Sequence, residues 1–409
     1  MVRVRLFVAA IAALACASCG GDDGPPSPSP TASPTPSPTP TPTPTPRSVI
    51  GLNQSAALAT FADPWALAIL PDGRFLVTQR RSPGTLSIVT QTGTVTAVNG
   101  VPTSIGLLDV ALAPDFATSR AIYFSYMVHD LSAERVGRAK DEPNLFPERM
   151  MVARATLTES NGNVSLTAMT EIFRQVPTIV TFEGSGEPGG RIAFSPDGRY
   201  LYLTSGDRQE LDKDFLFSLS NNLGKVVRLF PDGTIPPDNP FVNQAGARGE
   251  IWTLGHRNHY GLAFAPDGRL WSSEMGPMGG DEFNLILPNR NYGWPAVSNG
   301  DFYTGNPIPD HAPGDGFEAP KVSWTPVIAP AGMLFYKGSE FSEWRGDALL
   351  TGLASKTLVR IRTNGDSAQE VQRFDMGTRI RAIAEAPNGS LWILTDGTAG
   401  ELRRITPVF

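Results

Sequence analysis

An all-β fold, and within that class a six-bladed β-propeller, is what this sequence predicts. Three observations carry the prediction. A hairpin unit recurs as "LPDGRFLVTQ" (70–79), "SPDGRYLYLTSGD" (195–207), "APDGRLWSSE" (265–274) and "APNGSLWILTD" (386–396). Long amphipathic helical patterns are almost absent from the chain. The hairpins run through residues 47–409, a length that at roughly 40–60 residues per blade gives about six. A large two-sheet sandwich is the competing architecture.

Each repeat has a physical reading. Asp-Gly and Asn-Gly supply the positive φ of a tight turn, and the alternation that follows gives a strand one buried face. A short apolar strand precedes each turn, as in "WALAIL" (65–70), "GRIAF" (190–194) and "GLAFA" (261–265). "APDFATSRAIYFSYM" (113–127) is a looser copy.

The N-terminal region reads differently. Residues 1–19 combine Arg3 and Arg5 with an apolar run from Leu6 to Ala15. That run is too short for a membrane span and reads as a secretory signal. Cys16 and Cys19, the only cysteines, close it. Small residues before a cysteine suggest lipoprotein processing at Cys19, with Cys16, or ordinary cleavage without lipid, as alternatives. Within residues 20–46, the stretch from Gly24 to Pro46 alternates proline with serine or threonine. Such a segment cannot bury a core and is expected to form an extended, disordered tether with a reach on the order of 70 Å. The expected product is a periplasmic or cell-surface lipoprotein, touching the membrane only through its lipid.

Composition excludes several functions for the body, residues 47–409. With both cysteines upstream, it has no disulfide, thiolate metal site or cysteine nucleophile. A net charge of −6 with both signs mixed argues against a nucleic-acid partner. Four histidines, at 129, 256, 259 and 311, make a histidine-rich zinc centre a poor expectation.

The most informative stretch is "IWTLGHRNHYGLAFAPDGRLWSSEMGPMGGDEFNLILPNRNYGWP" (251–295). Together with "LGKVVRLFPDGTIPPDNPF" (223–241), it resembles the soluble PQQ-dependent glucose/sorbosone (aldose) dehydrogenase family. The resemblance covers essentially residues 58–407. It implies a six-bladed propeller that uses pyrroloquinoline quinone (PQQ) and Ca²⁺ to oxidise a small sugar or polyol, passing electrons to an external acceptor.

The resemblance also implies roles. Arg257, Asn258, Asp281, Lys337, Arg379 and Arg381 would surround the cofactor. Arg379 and Arg381 are two apart on an expected strand and face one side, and paired guanidiniums suit carboxylates; on spacing alone they could equally form a solvated strand face. Gly276 and Pro277 would offer carbonyls to a Ca²⁺ that also holds the cofactor, as calcium's preference for oxygen ligands allows. Glu282 and the carbonyl of Tyr292 would bind a second Ca²⁺. Asp207 would support the catalytic base.

Three positions depart from the family. Glu187 of "EPGGR" (187–191) stands where the family has its histidine base, Ser104 replaces a glutamine, and Met275 occupies a usually polar position. A glutamate is the weaker base. The catalytic set that the resemblance implies is Glu187, Asp207 and Arg257. A non-catalytic carbohydrate- or protein-binding propeller is the alternative, with a propeller lactonase a weaker third.

Overall fold

A computed structural model describes residue 24, residues 48–182 and residues 186–409. Cys16, Cys19, the signal segment and all of the tether except Gly24 lie outside these residues. The strands belong to the second of two units, Pro46–Phe409. Among the described residues the helices are brief: Phe116–Ser119, Lys213–Phe217 and a 3₁₀ turn at Ser342–Trp344.

The four sequence repeats fold alike. The amides of Gly73, Gly198, Gly268 and Gly389 donate to the carbonyls three residues earlier at 2.8, 2.8, 2.9 and 2.8 Å. All four glycines have φ between 71° and 85°, a region that costs other residues strain. The preceding Asp72, Asp197, Asp267 and Asn388 accept from the amide two residues on, fixing each turn from inside.

These hairpins build antiparallel sheets. Three are four-stranded and begin with Gly189–Phe194, Asn258–Phe264 and Pro330–Phe335. An eight-stranded sheet runs from Pro64–Ile69 at one edge to Gly106–Leu112 at the other; at its middle, Val95–Asn99 and Asn163–Arg174 pair in parallel. The last sheet begins with Ile380–Glu385 and takes Gly51–Gln54, from the start of the body, onto its final strand, with Gly51 opposite Val408.

The sheets form a closed ring. Pro64–Ile69 touches Gly106–Leu112, which touches Gly189–Phe194, then Asn258–Phe264, Pro330–Phe335 and Ile380–Glu385, which touches Pro64–Ile69 again. The seam is closed twice, by the ladder of Gly51–Gln54 and by an apolar cluster in which Phe75 lies 4.6 Å from Trp392. The body is an all-β, propeller-like ring.

This topology gives the ring two faces. The Pro-Asp/Asn-Gly turns join first strands to second strands on one face. The starts of the first strands and the second-to-third connections share the other.

Candidate functional site

Arg257 organises the second of these faces. It precedes the first strand of its sheet, and its Nη1 donates to the carbonyls of Met275 (3.0 Å) and Gly276 (2.8 Å). Its other terminal nitrogen binds the Glu187 carboxylate, and its backbone N–H donates to Glu274 at 2.9 Å. Burial opposes its charge, yet Glu187 and Asp207 outweigh burial and hold the guanidinium above its ordinary pKa. Asn258 ties in the same turn, accepting from the Gly189 amide at 3.3 Å.

Glu187 and Asp207 are neighbours although twenty residues separate them in the sequence. Glu187 adopts φ 48°, and its carbonyl lies where a Cβ on residue 206 would be, so Gly206 admits this approach. Asp207 is fully buried; one oxygen accepts from the indole of Trp294 at 2.7 Å and the other from the Gln209 amide at 2.9 Å. Burial, and then the adjacent Glu187 carboxyl, push its pKa well above the carboxylate range. Glu187 in turn pairs with Arg257. Neither the Trp294 contact nor the approach of Glu187 to Asp207 was visible in the sequence.

The Gly276–Pro277 turn is held from below. Asp281 accepts from the Gly276 amide at 2.9 Å and the Ala329 amide at 2.6 Å, and burial raises its pKa to about 6 against the pull of these donors. Both oxygens of Asp281 serve the backbone, so it positions the turn. A Cβ at Gly276 would collide with the carbonyls of Gly279 and Gly280.

Glu282 is buried next to Glu274, and Asn284 bridges them at 2.9 and 2.7 Å. Burial, then the Glu274 charge, raise the Glu282 pKa well above normal. A cavity of about 10 Å³ lies among Gly255, Glu274, Gly276, Gly280, Glu282 and Ser298, room for one small particle. Buried carboxylates and backbone carbonyls around such a void suit a hard cation, so the donor set fits Ca²⁺. The Tyr292 hydroxyl donates to Leu285 and accepts from the Leu287 amide, while its ring stacks 4.3 Å from His256.

His256, His259 and Glu274 bring ligand-type atoms within 4.8 Å of one another, a grouping the histidine count had disfavoured. His256 and Glu274 already satisfy each other at 3.0 Å, with Thr253 and Asn284 completing the set. Burial and the charge of His256 push His259 down to about 3, so it is a neutral core group.

Arg379 and Arg381 converge as their spacing suggested. Both donate to Asp396 at 2.8 Å, and they hold its pKa below the usual range although burial opposes this. A cavity of about 470 Å³ opens here between Arg80, Arg81, Arg381, Trp65 and Asp396. Arg191 lies 4.0 Å over Trp65, which meets Tyr260 edge-on at 5.4 Å. Arg191 is buried, pairs with Asp109 at 3.0 Å, and keeps Nη2 without a hydrogen-bond partner. An unsatisfied buried donor beside several guanidiniums fits an anionic group such as a PQQ carboxylate.

Lys337 is not brought to this face. It lies in a first-to-second-strand connection, and its amide donates to Glu385, at the far end of the strand that Arg381 begins, at 2.9 Å. Lys356 was missed. It sits in a second-to-third-strand connection, in the turn whose Leu353 carbonyl accepts from Arg379 at 3.4 Å. The position of each lysine relative to the Pro-Asp/Asn-Gly turns would have separated them.

A second cavity, about 550 Å³, reaches Glu187, Arg257, Pro277, Trp294, Phe182 and Tyr303. The predicted residues therefore divide between two openings on one face. Ser104 is buried and its hydroxyl has no partner among the described residues, while Met275 approaches Asn258 through its sulfur at 3.9 Å.

Comparisons with known proteins identify the family. The Glucose / Sorbosone dehydrogenase family model matches residues 61–404. The aldose sugar dehydrogenase YliI of Escherichia coli (strain K12) is 36% identical over 356 residues, covering 84% of this chain and 90% of that protein. The crystal structure of the soluble aldose sugar dehydrogenase from Escherichia coli, in its apo form, superposes with a TM-score of 0.77 at 34% identity, covering 87% of this chain and all of that one. The PQQ-bound aldose sugar dehydrogenase from Streptomyces coelicolor gives 0.66 at 28% identity, covering 87% of this chain and 98% of that one. With a family model spanning most of its body and a relative matched along nearly its whole length, this chain belongs to the glucose/sorbosone dehydrogenase family.

Proposed function

We propose that the protein is a PQQ- and Ca²⁺-dependent dehydrogenase that oxidises the anomeric or an alcohol carbon of a sugar outside the cytoplasm. The observation that carries this reading is the Glu187–Arg257–Asp207 cluster, open to a cavity on the same face as Arg379 and Arg381. Dividing the eight-stranded sheet at its parallel ladder counts six blades, which supports a six-bladed propeller.

Arg257, Asn258, Arg379 and Arg381 would hold PQQ. The carbonyls of Gly276 and Pro277 would bind one Ca²⁺, with Glu282 and the Tyr292 carbonyl binding a second. Bound PQQ would supply a quinone that accepts hydride, with an external acceptor then taking the electrons. Glu187 takes the sugar hydroxyl proton. Asp207 and Arg257 hold its carboxylate in place, and Asp281 fixes the turn beneath.

A second reading, a non-catalytic binding propeller, is favoured by one feature: the Glu187 carboxylate is engaged by Arg257. Dye reduction by the PQQ- and Ca²⁺-loaded protein across aldoses and alditols separates the two. Turnover supports the dehydrogenase, whereas bound PQQ without turnover supports the binding protein.

The order of apolar run, cysteine and proline-rich tether supports export and anchoring through Cys19. Mass spectrometry of the native N-terminus should find a lipid-modified cysteine. An unmodified terminus beyond Cys19 contradicts the anchor.

A further inference from the structure

We propose that His256, His259 and Glu274 form a closed site for one transition-metal dication such as Zn²⁺, distinct in ligand type from a calcium site, and that the ion bolts down the turn carrying Arg257. The inference goes beyond the sugar-oxidising reading and does not depend on it.

Strand register brings these residues together. His259 and Glu274 are directly opposed in the antiparallel ladder of Asn258–Phe264 with Leu270–Met275, and opposed residues share a face. His256 reaches the same place from the turn before the first strand, with its ring centre 4.3 Å from that of His259. One ligand-type atom from each of the three lies within 4.8 Å of the others.

His259 is the residue that points to a ligand. It is 0% exposed, and neither of its ring nitrogens has a hydrogen-bond partner among the described residues. Burying polar atoms unpaired is costly, and such a group calls for a partner. A metal ion takes the lone pair of a neutral imidazole nitrogen and so supplies one.

The other two residues are oriented as ligands. His256 Nδ1 and Glu274 Oε1 are 3.0 Å apart, about the separation of two ligands at right angles on an ion roughly 2.1 Å from each. The same spacing serves a hydrogen bond, so the ring tautomer decides between proton and metal. When Nε2–H donates to the Thr253 hydroxyl at 2.9 Å, Nδ1 turns its lone pair toward Glu274. Asn284 and the Arg257 amide fix the two Glu274 oxygens at 2.7 and 2.9 Å. Metal ligands are oriented by hydrogen bonds of this kind.

Ligand chemistry selects the ion. Calcium takes oxygen donors, whereas two imidazoles and a carboxylate suit zinc and its first-row neighbours. Because Glu274 also accepts from the Arg257 amide, the ion ties that turn to the strand Leu270–Met275.

The test expresses the full-length protein, without a histidine tag, in medium supplemented with Zn²⁺ or Co²⁺. The ligands are buried, so the ion is captured during folding. The protein is dialysed against excess Ca²⁺, which fills oxygen-ligand sites, and its metal content is read by elemental mass spectrometry. About one Zn²⁺ or Co²⁺ per chain should remain, and the cobalt form should show the visible absorption of a nitrogen-ligated ion. His259→Leu replaces the unpaired imidazole with an apolar side chain, so it should fold yet hold at least about five-fold less of the ion. His259→Gln, polar and of similar length, serves if the leucine variant does not fold. Refolding the parent with Zn²⁺ instead of chelator should raise its melting midpoint by about 3 °C or more, with no such shift in the variant. A parent protein that retains no transition metal from either medium overturns the proposal. Equal metal content in parent and variant overturns it too, because the ion then sits elsewhere.

Discussion

The carboxyl groups of Asp207 and Glu187 adjoin each other, with Asp207 buried against the Trp294 indole and Glu187 reaching the cavity beside Arg257. Burial and the neighbouring Glu187 carboxyl raise the Asp207 pKa, while Glu187 is the carboxyl of the two that lines the cavity.

Glu187→Gln keeps the shape and removes the acceptor. PQQ affinity should change little, because Arg257 remains, while turnover should fall by about 10²–10⁴-fold. Steady-state rates with PQQ binding measured on the same sample check this. Undiminished turnover would remove Glu187 from the reaction.

The two faces of the ring separate Arg381 from Lys337. Arg381→Ala should weaken PQQ binding by the roughly 1.5–3 kcal/mol typical of a hydrogen bond to a charged group. Lys337→Ala, on the opposite face, should leave it within about two-fold. Equal losses in both variants would contradict the placement of the cofactor.

Gly276→Ala forces a methyl against the Gly279 and Gly280 carbonyls. The neighbours are backbone atoms and cannot rotate away, so the variant should lose about 1–3 kcal/mol of stability. Its Ca²⁺ affinity should also fall. Thermal melts with and without Ca²⁺ read both effects, and an unchanged metal response would detach this turn from calcium binding.

Lys225 gives a stability signature far from the cavities. It is fully buried, bonded to the Leu216 and Leu223 carbonyls, and burial pushes its pKa down to about 7 from 10.5. The unfolded chain therefore binds more protons between pH 7 and 10.5, and stability should rise with pH across that window, by up to about 1.4 kcal/mol per unit. The contribution is lost as pH falls through 7. Lys225→Met should flatten the slope in denaturant melts between pH 7 and 9.5 relative to the parent.

The hairpins were legible because each carries its own turn chemistry in consecutive residues, and Arg379 and Arg381 because strand alternation puts both on one side. Contacts between distant segments were not. The Trp294 indole meets Asp207 from 87 residues away, and no local pattern marks it. The pairing of Gly51–Gln54 with the final strand is equally silent, since an edge strand needs only backbone donors and acceptors. The part Asp281 plays in the turn was silent too, because one of its two amide partners, Ala329, lies 48 residues away. Lys337 failed because composition does not reveal which face of a ring a loop occupies.

The central claim is tested most directly by calorimetric titration of PQQ into the chelator-stripped protein, with and without added Ca²⁺. The account predicts saturable binding at one PQQ per chain when Ca²⁺ is present, and binding weakened at least about ten-fold without it. No PQQ binding at saturating Ca²⁺ would contradict it.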